Sequence, residues 1–221
     1  FVPFSGTAET FAVLGNAVLS ADASVASDLT FNGGRVDLSG RTLTLNGNVT
    51  NTTVGGIRGS GTSNLTISGG VNPTLSFDQT TLGITNVLNN LSVNTTGSNT
   101  VTVGNPVVVN GTLTTAHGQT LNMGTNALTG TLATINNNGT ILTQNTTGTP
   151  LPAAKTWGGT GTVNYNGSSA QTVATGTYQN LTISNAAGAT AAGSFTVNGI
   201  LNLPMSNPSA TAGSLAIGVH T

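Results

Sequence analysis

The feature that most restricts the fold of this chain is a period-two alternation, repeated in short bursts along its length. Leu43-Thr44-Leu45, Leu65-Thr66-Ile67, Leu75-Ser76-Phe77 and Leu91-Ser92-Val93 alternate apolar with small polar residues. Val101-Thr102-Val103, Val163-Asn164-Tyr165, Leu181-Thr182-Ile183 and Phe195-Thr196-Val197 do the same. Alternation over such short stretches sends one face into a core and the other to solvent, which is the signature of a strand. The outward residues are mostly Thr, Ser and Asn, and the β-branched Thr suits a pleated surface. Only Thr7–Leu19 is compatible with a short helix, and a capping strand fits there equally.

Dense turn signals separate the bursts. Asn-Gly occurs at Asn32-Gly33, Asn46-Gly47, Asn110-Gly111, Asn138-Gly139, Asn166-Gly167 and Asn198-Gly199. These residues tolerate the left-handed backbone of hairpins and of corners between sheet faces. Internal repeats accompany them. Asn64-Leu65-Thr66-Ile67-Ser68 recurs as Asn180-Leu181-Thr182-Ile183-Ser184, with Asn90-Leu91-Ser92-Val93-Asn94 as a variant. Val109-Asn110-Gly111-Thr112-Leu113-Thr114 matches Val197-Asn198-Gly199-Ile200-Leu201-Asn202. Short strands repeated between polar corners point to a single elongated parallel β-solenoid, in which each coil stacks only on its neighbours. At roughly 20 residues per coil and about 4.8 Å per rung the rod is about 50 Å long. A β-sandwich filament subunit is the alternative that strand patterns alone leave open. The expected organisation is an N-terminal capping region over 1–58 and a repetitive body over 59–221, with related modules at 59–115 and 158–203.

Composition sharpens this picture. Thr, Asn and Gly supply 100 of 221 residues, and charged residues only 4%. Nucleic-acid binding needs a basic footprint that is absent here. Hydrophobic content of 36% and a mean hydropathy of +0.13 argue against disorder. There are no cysteines, hence no disulfide framework or thiolate chemistry. No run of 18 apolar residues exists, so no membrane span is expected, and 4% aromatics are too few for the girdles of an outer-membrane barrel. A chain starting at Phe1 reads as a mature secreted protein whose export signal has been removed, and a fragment of a longer protein would look the same. Stacked coils place like residues above like, which disfavours charge and favours Thr and Asn.

Two resemblances follow from these residues. Leu75–Thr81 with Asn86–Leu91, and Gly161–Gly167 with Ala170–Val173 and Tyr178–Ile183, resemble the Thr/Asn/Gly-rich modules of secreted Bacteroidetes-type surface and adhesin-like proteins. That likeness implies a cell-surface setting. More weakly, Gly6-Thr7-Ala8 with Phe11–Leu14 is similar to the opening of ice-binding β-solenoids.

Candidate chemistry is sparse. Every charged residue except Lys155 lies at or before Asp78. Asp22, Asp28 and Asp37 with Arg35 and Arg41 could form a carboxylate cluster of the kind glycosidases and lyases use, or simple surface ion pairs. No repeated acidic turn suggests calcium, and His117 and His220 lack companion ligands. Gly59-Ser60-Gly61-Thr62 lacks a phosphate-loop lysine and reads as a turn. Trp157, Tyr165 and Tyr178 could stack on a sugar or fill the core. No cofactor, metal or catalytic set is expected, and the chain does not read as an enzyme. The function expected instead is an extracellular fibre or adhesin segment that partners itself, with surface glycans or ice as alternative targets. Phe1, Val2, Pro3 and Phe4 form an apolar strand suited to β-strand addition, and Leu215, Ile217 and Val219 lie in an uncharged C-terminal stretch. These seven residues are the expected assembly interface, in a head-to-tail contact that does not close.

Overall fold

The computed structural model describes residues 2–51, 55–204 and the backbone of 215–216. Phe1, Ile217, Val219 and His220 lie outside the described residues, as does the side chain of Leu215. The described chain is all strand, and every strand pairing is parallel. It forms a β-solenoid of about 10 turns, a length of about 50 Å at one rung per turn. A sandwich of antiparallel strands is thereby replaced by coils stacked on coils. The middle turns have three sides. Val107–Val109, Thr112–Thr115 and Thr120–Asn122 stack beneath Leu128–Thr129, Thr134–Asn137 and Thr140–Thr143 of the next turn. The N-terminal region is strand as well. Val2–Ala8 and Phe11–Val13 make the first turn, on which Ala17–Val25 and Leu29–Phe31 stack.

The alternation determines which side chains fill the rod. One inner column runs Ala23, Leu43, Leu65, Leu91, Leu113, Ile135, advancing 20, 22, 26, 22 and 22 residues per turn. A second runs Val101, Leu121, Ile141, Val163, Leu181. All of these are buried. Each fully buried Leu, Ile or Val side chain contributes roughly 1.5–3 kcal/mol of transfer free energy, so the columns hold the turns in register. A one-residue slip would turn an inner column outward.

The Asn-Gly corners have a cause that differs from the expected one. Of the six glycines only Gly33 has a positive φ, at 104°. Gly47, Gly111, Gly139 and Gly199 are set by crowding between turns, and Gly167 by the Gln171 side chain folded against it. A Cβ on Gly47 would lie 1.3 Å from the carbonyl oxygen of Ser27, a clash that no side-chain adjustment relieves. Asparagines outside these six pairs serve the backbone of the neighbouring turn. Thr112 N–H donates to Asn90 Oδ1 (2.7 Å) and Ile200 N–H to Asn180 Oδ1 (3.0 Å). Asn90 Nδ2 donates in turn to Asn64 Oδ1 at 2.8 Å. Unpaired backbone groups at a bend are costly when buried, and a short amide bridging two turns satisfies them.

The repeated pentapeptide sits on two different sides of the rod. Asn64–Ile67 stacks under Asn90–Val93, on the side that continues to Thr112–Thr115 and Thr134–Asn137. Residues 180–183 stack on 162–165, on the side that runs back through Thr140–Thr143 and Thr120–Asn122. The repeat therefore encodes a strand leading out of a corner and leaves the identity of the side to the spacing between corners.

Candidate functional site

The early acidic residues are distributed among structural tasks. Asp22 Oδ1 accepts from Thr42 N–H at 2.8 Å and Asp28 Oδ1 from Asn48 N–H at 3.2 Å, the same inter-turn role that Asn plays elsewhere. Asp37 pairs with Arg58 at 3.6 Å. Arg35 and Arg41 do not join Asp22, Asp28 and Asp37 in one cluster, because Arg35 reaches Asp78 instead, at 2.8 Å. Register explains the arrangement. Val36, Ile57 and Phe77 stack as an inner column, so the residues one step on, Asp37, Arg58 and Asp78, form an outer column of alternating sign. Charges spaced by one rung tolerate stacking when they alternate.

Around this column lies a cleft of about 450 Å³. Its floor is the backbone of Gly33-Gly34 and Gly55-Gly56 on consecutive turns, and its walls carry Arg35 and Asp78. With no side chain at Gly56, the Arg35 guanidinium spans two turns to the Asp78 carboxylate. Asp78 is 7% exposed. Its burial opposes ionisation, but the Thr80 backbone N–H and hydroxyl, together with the Arg35 charge, outweigh that and hold its pKa below the usual aspartate value. The cleft is flanked by the one long excursion in this region, residues 79–86. That loop is fastened by Thr85 Oγ1 donating to Asp78 O (2.8 Å) and Gly83 N–H donating to Asn86 Oδ1 (2.7 Å). It exposes Leu82 and Ile84. Sequence reading missed the cleft, although two Gly-Gly pairs one coil apart signal it.

The aromatic trio does not form a surface platform. Trp157, Tyr165 and Tyr178 are all buried, with Trp157 stacked on Tyr178 at 6.3 Å. The two tyrosine hydroxyls share a hydrogen bond of 3.2 Å, and Tyr178 Oη donates to Ala174 O at 2.7 Å. Burial pushes both phenols well above their ordinary pKa. His117 is exposed on a shallow groove beside Asn138 and Thr160. Among the described residues, no three His, Asp or Glu side chains group to hold a metal, and no helix is long and apolar enough to cross a membrane.

The ends of the rod are its other unusual surfaces. Val2–Ala8 pairs only with Ala17–Val25, and Phe11–Val13 only with Leu29–Phe31, so among the described residues their outer edges face no strand. Phe4 and Phe11 stack at 4.4 Å across this end. They line a mainly apolar cavity of about 340 Å³ with Val2, Pro3, Val13 and Leu14. Val2 is 71% exposed, whereas Leu19 in the next turn is 2% exposed. At the other end Leu201 is the last member of the inner column among the described residues, and it is 42% exposed although Leu181 beneath it is fully buried. Ile200 and Leu203 are exposed beside it. Of the expected interface, Val2, Pro3 and Phe4 thus lie on an open edge, and the backbone of Leu215 pairs with Ala189 on the last described turns.

In comparisons with known proteins, no family model matches the chain, and neither does any curated protein or solved structure.

Proposed function

We propose that the chain is an extracellular structural subunit that polymerises head to tail, the last turn of one copy adding its strand edge to Val2–Ala8 of the next. The observation that carries this reading is the state of the two end turns. Each presents an unpaired parallel edge among the described residues, with apolar side chains at positions the intermediate turns bury. Val2, Phe4, Phe11 and Leu14 at one end face the same chemistry as Phe195, Ile200 and Leu201 at the other, with no charge on either set. An exposed flat edge of this kind templates further pairing, and a contact between opposite ends that does not close yields an open filament. The cell-surface setting implied by the resemblance to Thr/Asn/Gly-rich surface modules belongs to the same proposal. Removing residues 1–8 tests it, with assembly followed by light scattering and negative-stain microscopy. Filaments of the intact chain should give way to monomers; filaments that persist unchanged after the deletion rule this contact out.

A second reading rests on a different observation. Thr100, Thr120, Thr140 and Thr162 form an outward column, one hydroxyl per rung. A regular hydroxyl surface with a repeat of about 4.8 Å along the axis suits an ordered target such as ice. Thermal hysteresis that disappears in Thr120→Lys would favour this function, and its absence at millimolar protein would remove it.

A further inference from the structure

The solenoid departs from regularity at several places, and one of them is the segment around Asp78. The Arg35–Asp78 ion pair and the loop over residues 79–86 meet at the cleft over Gly33-Gly34 and Gly55-Gly56, on the flank of the rod. We infer that this cleft binds a neutral carbohydrate. The argument starts from its charge balance. Arg35 Nη1 donates to Asp78 Oδ2 at 2.8 Å, so an anion must compete with Asp78 for the guanidinium and a cation must compete with Arg35 for the carboxylate. A hydroxyl avoids both conflicts. It accepts from a free guanidinium N–H while donating to a carboxylate oxygen, and one sp³ oxygen satisfies a donor and an acceptor this close together.

The remaining walls continue the pattern. Thr80 offers a hydroxyl at the rim, 3.5 Å from Arg35 Nη1. Asn51 and Asn105 bring amide groups from two other turns. Asn105 is held rigidly, clamped to Phe77 by Nδ2 donating to its carbonyl (2.8 Å) and Oδ1 accepting from its N–H (2.8 Å). The four glycines leave a side-chain-free floor against which the C–H face of a sugar ring can lie. A volume of about 450 Å³ falls within the range of about 300–1,000 Å³ common to small-ligand sites. Insertions of a repeat protein map to loops on one face, often the binding face, and the 79–86 loop is such an insertion at the rim of this cleft. The site lies on the flank, so it is independent of the end-to-end contact proposed above.

The test uses the full chain and defined trisaccharides: cellotriose, maltotriose, laminaritriose, xylotriose and chitotriose. Trigalacturonate and trilysine serve as charged counterparts. Saturation-transfer NMR and calorimetry should find at least one neutral trisaccharide with a Kd of about 1 mM or tighter, and neither charged trimer should match it. Thr80→Trp, at an exposed rim position, should fill the cleft and weaken that affinity at least tenfold. Arg35→Ala should do the same while circular dichroism stays unchanged. His117→Ala, on the unrelated groove, should leave affinity intact. The inference is overturned if no neutral trisaccharide binds at about 20 mM, if a charged trimer binds as well or better, or if binding survives Thr80→Trp.

Discussion

The turns before Asp78 and those after it solve the same stacking problem with different side chains. Early turns use ions in an alternating column, Asp37, Arg58, Asp78, with Arg35 reaching across Gly56. Later turns use almost none. Thr100, Thr120, Thr140 and Thr162 stack like on like, and the single Lys155 sits at a corner where Nζ donates to the Thr131 carbonyl. Two like charges one rung apart, at about 4.8 Å, repel by about 1 kcal/mol in water and about 3.5 kcal/mol at an effective dielectric constant of 20. Over ten rungs that repulsion would consume a typical stability of 5–15 kcal/mol. A solenoid column can therefore hold charge only if signs alternate, and neutral hydroxyl and amide columns escape the constraint. The interior differs as well. The inner column Val25, Leu45, Ile67, Val93 becomes Thr115 and then Asn137 as it enters the later turns. Buried Asn145, Gln171 and Asn185 are joined there by hydrogen bonds, and Gln119 is buried against Thr95.

That contrast can be broken at several points. The largest effect is expected at Gln171, whose side chain accepts from Gly167 N–H and Asn185 Nδ2 and donates to the carbonyls of Thr143 and Asn145. Gln171→Leu leaves the buried Gly167 N–H and Asn145 carbonyl without this partner, at about 1–3 kcal/mol for each group, and removes one of two bonds at Thr143 O and Asn185 Nδ2. Urea denaturation should show a loss of about 3 kcal/mol or more. Next comes charge stacking. Thr120→Asp combined with Thr140→Asp should cost about 1–3 kcal/mol beyond the sum of the single changes, because the two positions are direct neighbours. Thr120→Asp with Thr140→Lys should show a coupling of opposite sign, and equal couplings for the two pairs would refute the stacking rule.

The pH dependence of the early turns is smaller. The Asp78 pKa is depressed in the folded chain, so its contribution is fully present above the ordinary aspartate value of about 3.9 and declines as pH falls through the folded pKa. Denaturation midpoints measured from pH 6 to pH 2 should drop in the acid range, and Asp78→Asn should flatten that drop. The smallest effect concerns Thr115, whose buried hydroxyl lacks a partner. Thr115→Val removes an unsatisfied polar atom and should stabilise by about 1 kcal/mol.

Much of this architecture could be read from the chain. The alternation identifies the strands, and inward residues such as Leu43, Leu65 and Val163 follow from its parity. Other features needed register. Arg35 and Asp78 are 43 residues apart, which is two coil lengths, and nothing local marks them as partners. The glycines of the corner pairs look like left-handed turn residues, yet at Gly47 the constraint is contact with a different turn. Trp157, Tyr165 and Tyr178 were ambiguous because the register shifts between Trp157 and Thr162. Across this irregularity the alternation of Leu181-Thr182-Ile183 no longer reports on Tyr178, which is buried three residues before the buried Leu181. The repeated pentapeptide shows the general limit: identical residues specify the same strand after a corner, while the count of residues between corners decides which side of the rod it occupies.

The most direct measurement of the assembly claim is the axial repeat of the purified chain by electron cryomicroscopy. End-to-end stacking predicts a continuous filament with rungs about 4.8 Å apart and a subunit rise of about 50 Å, the length of about 10 turns. Dispersed single rods at every concentration examined, or filaments whose subunit rise is unrelated to the rod length, would contradict it.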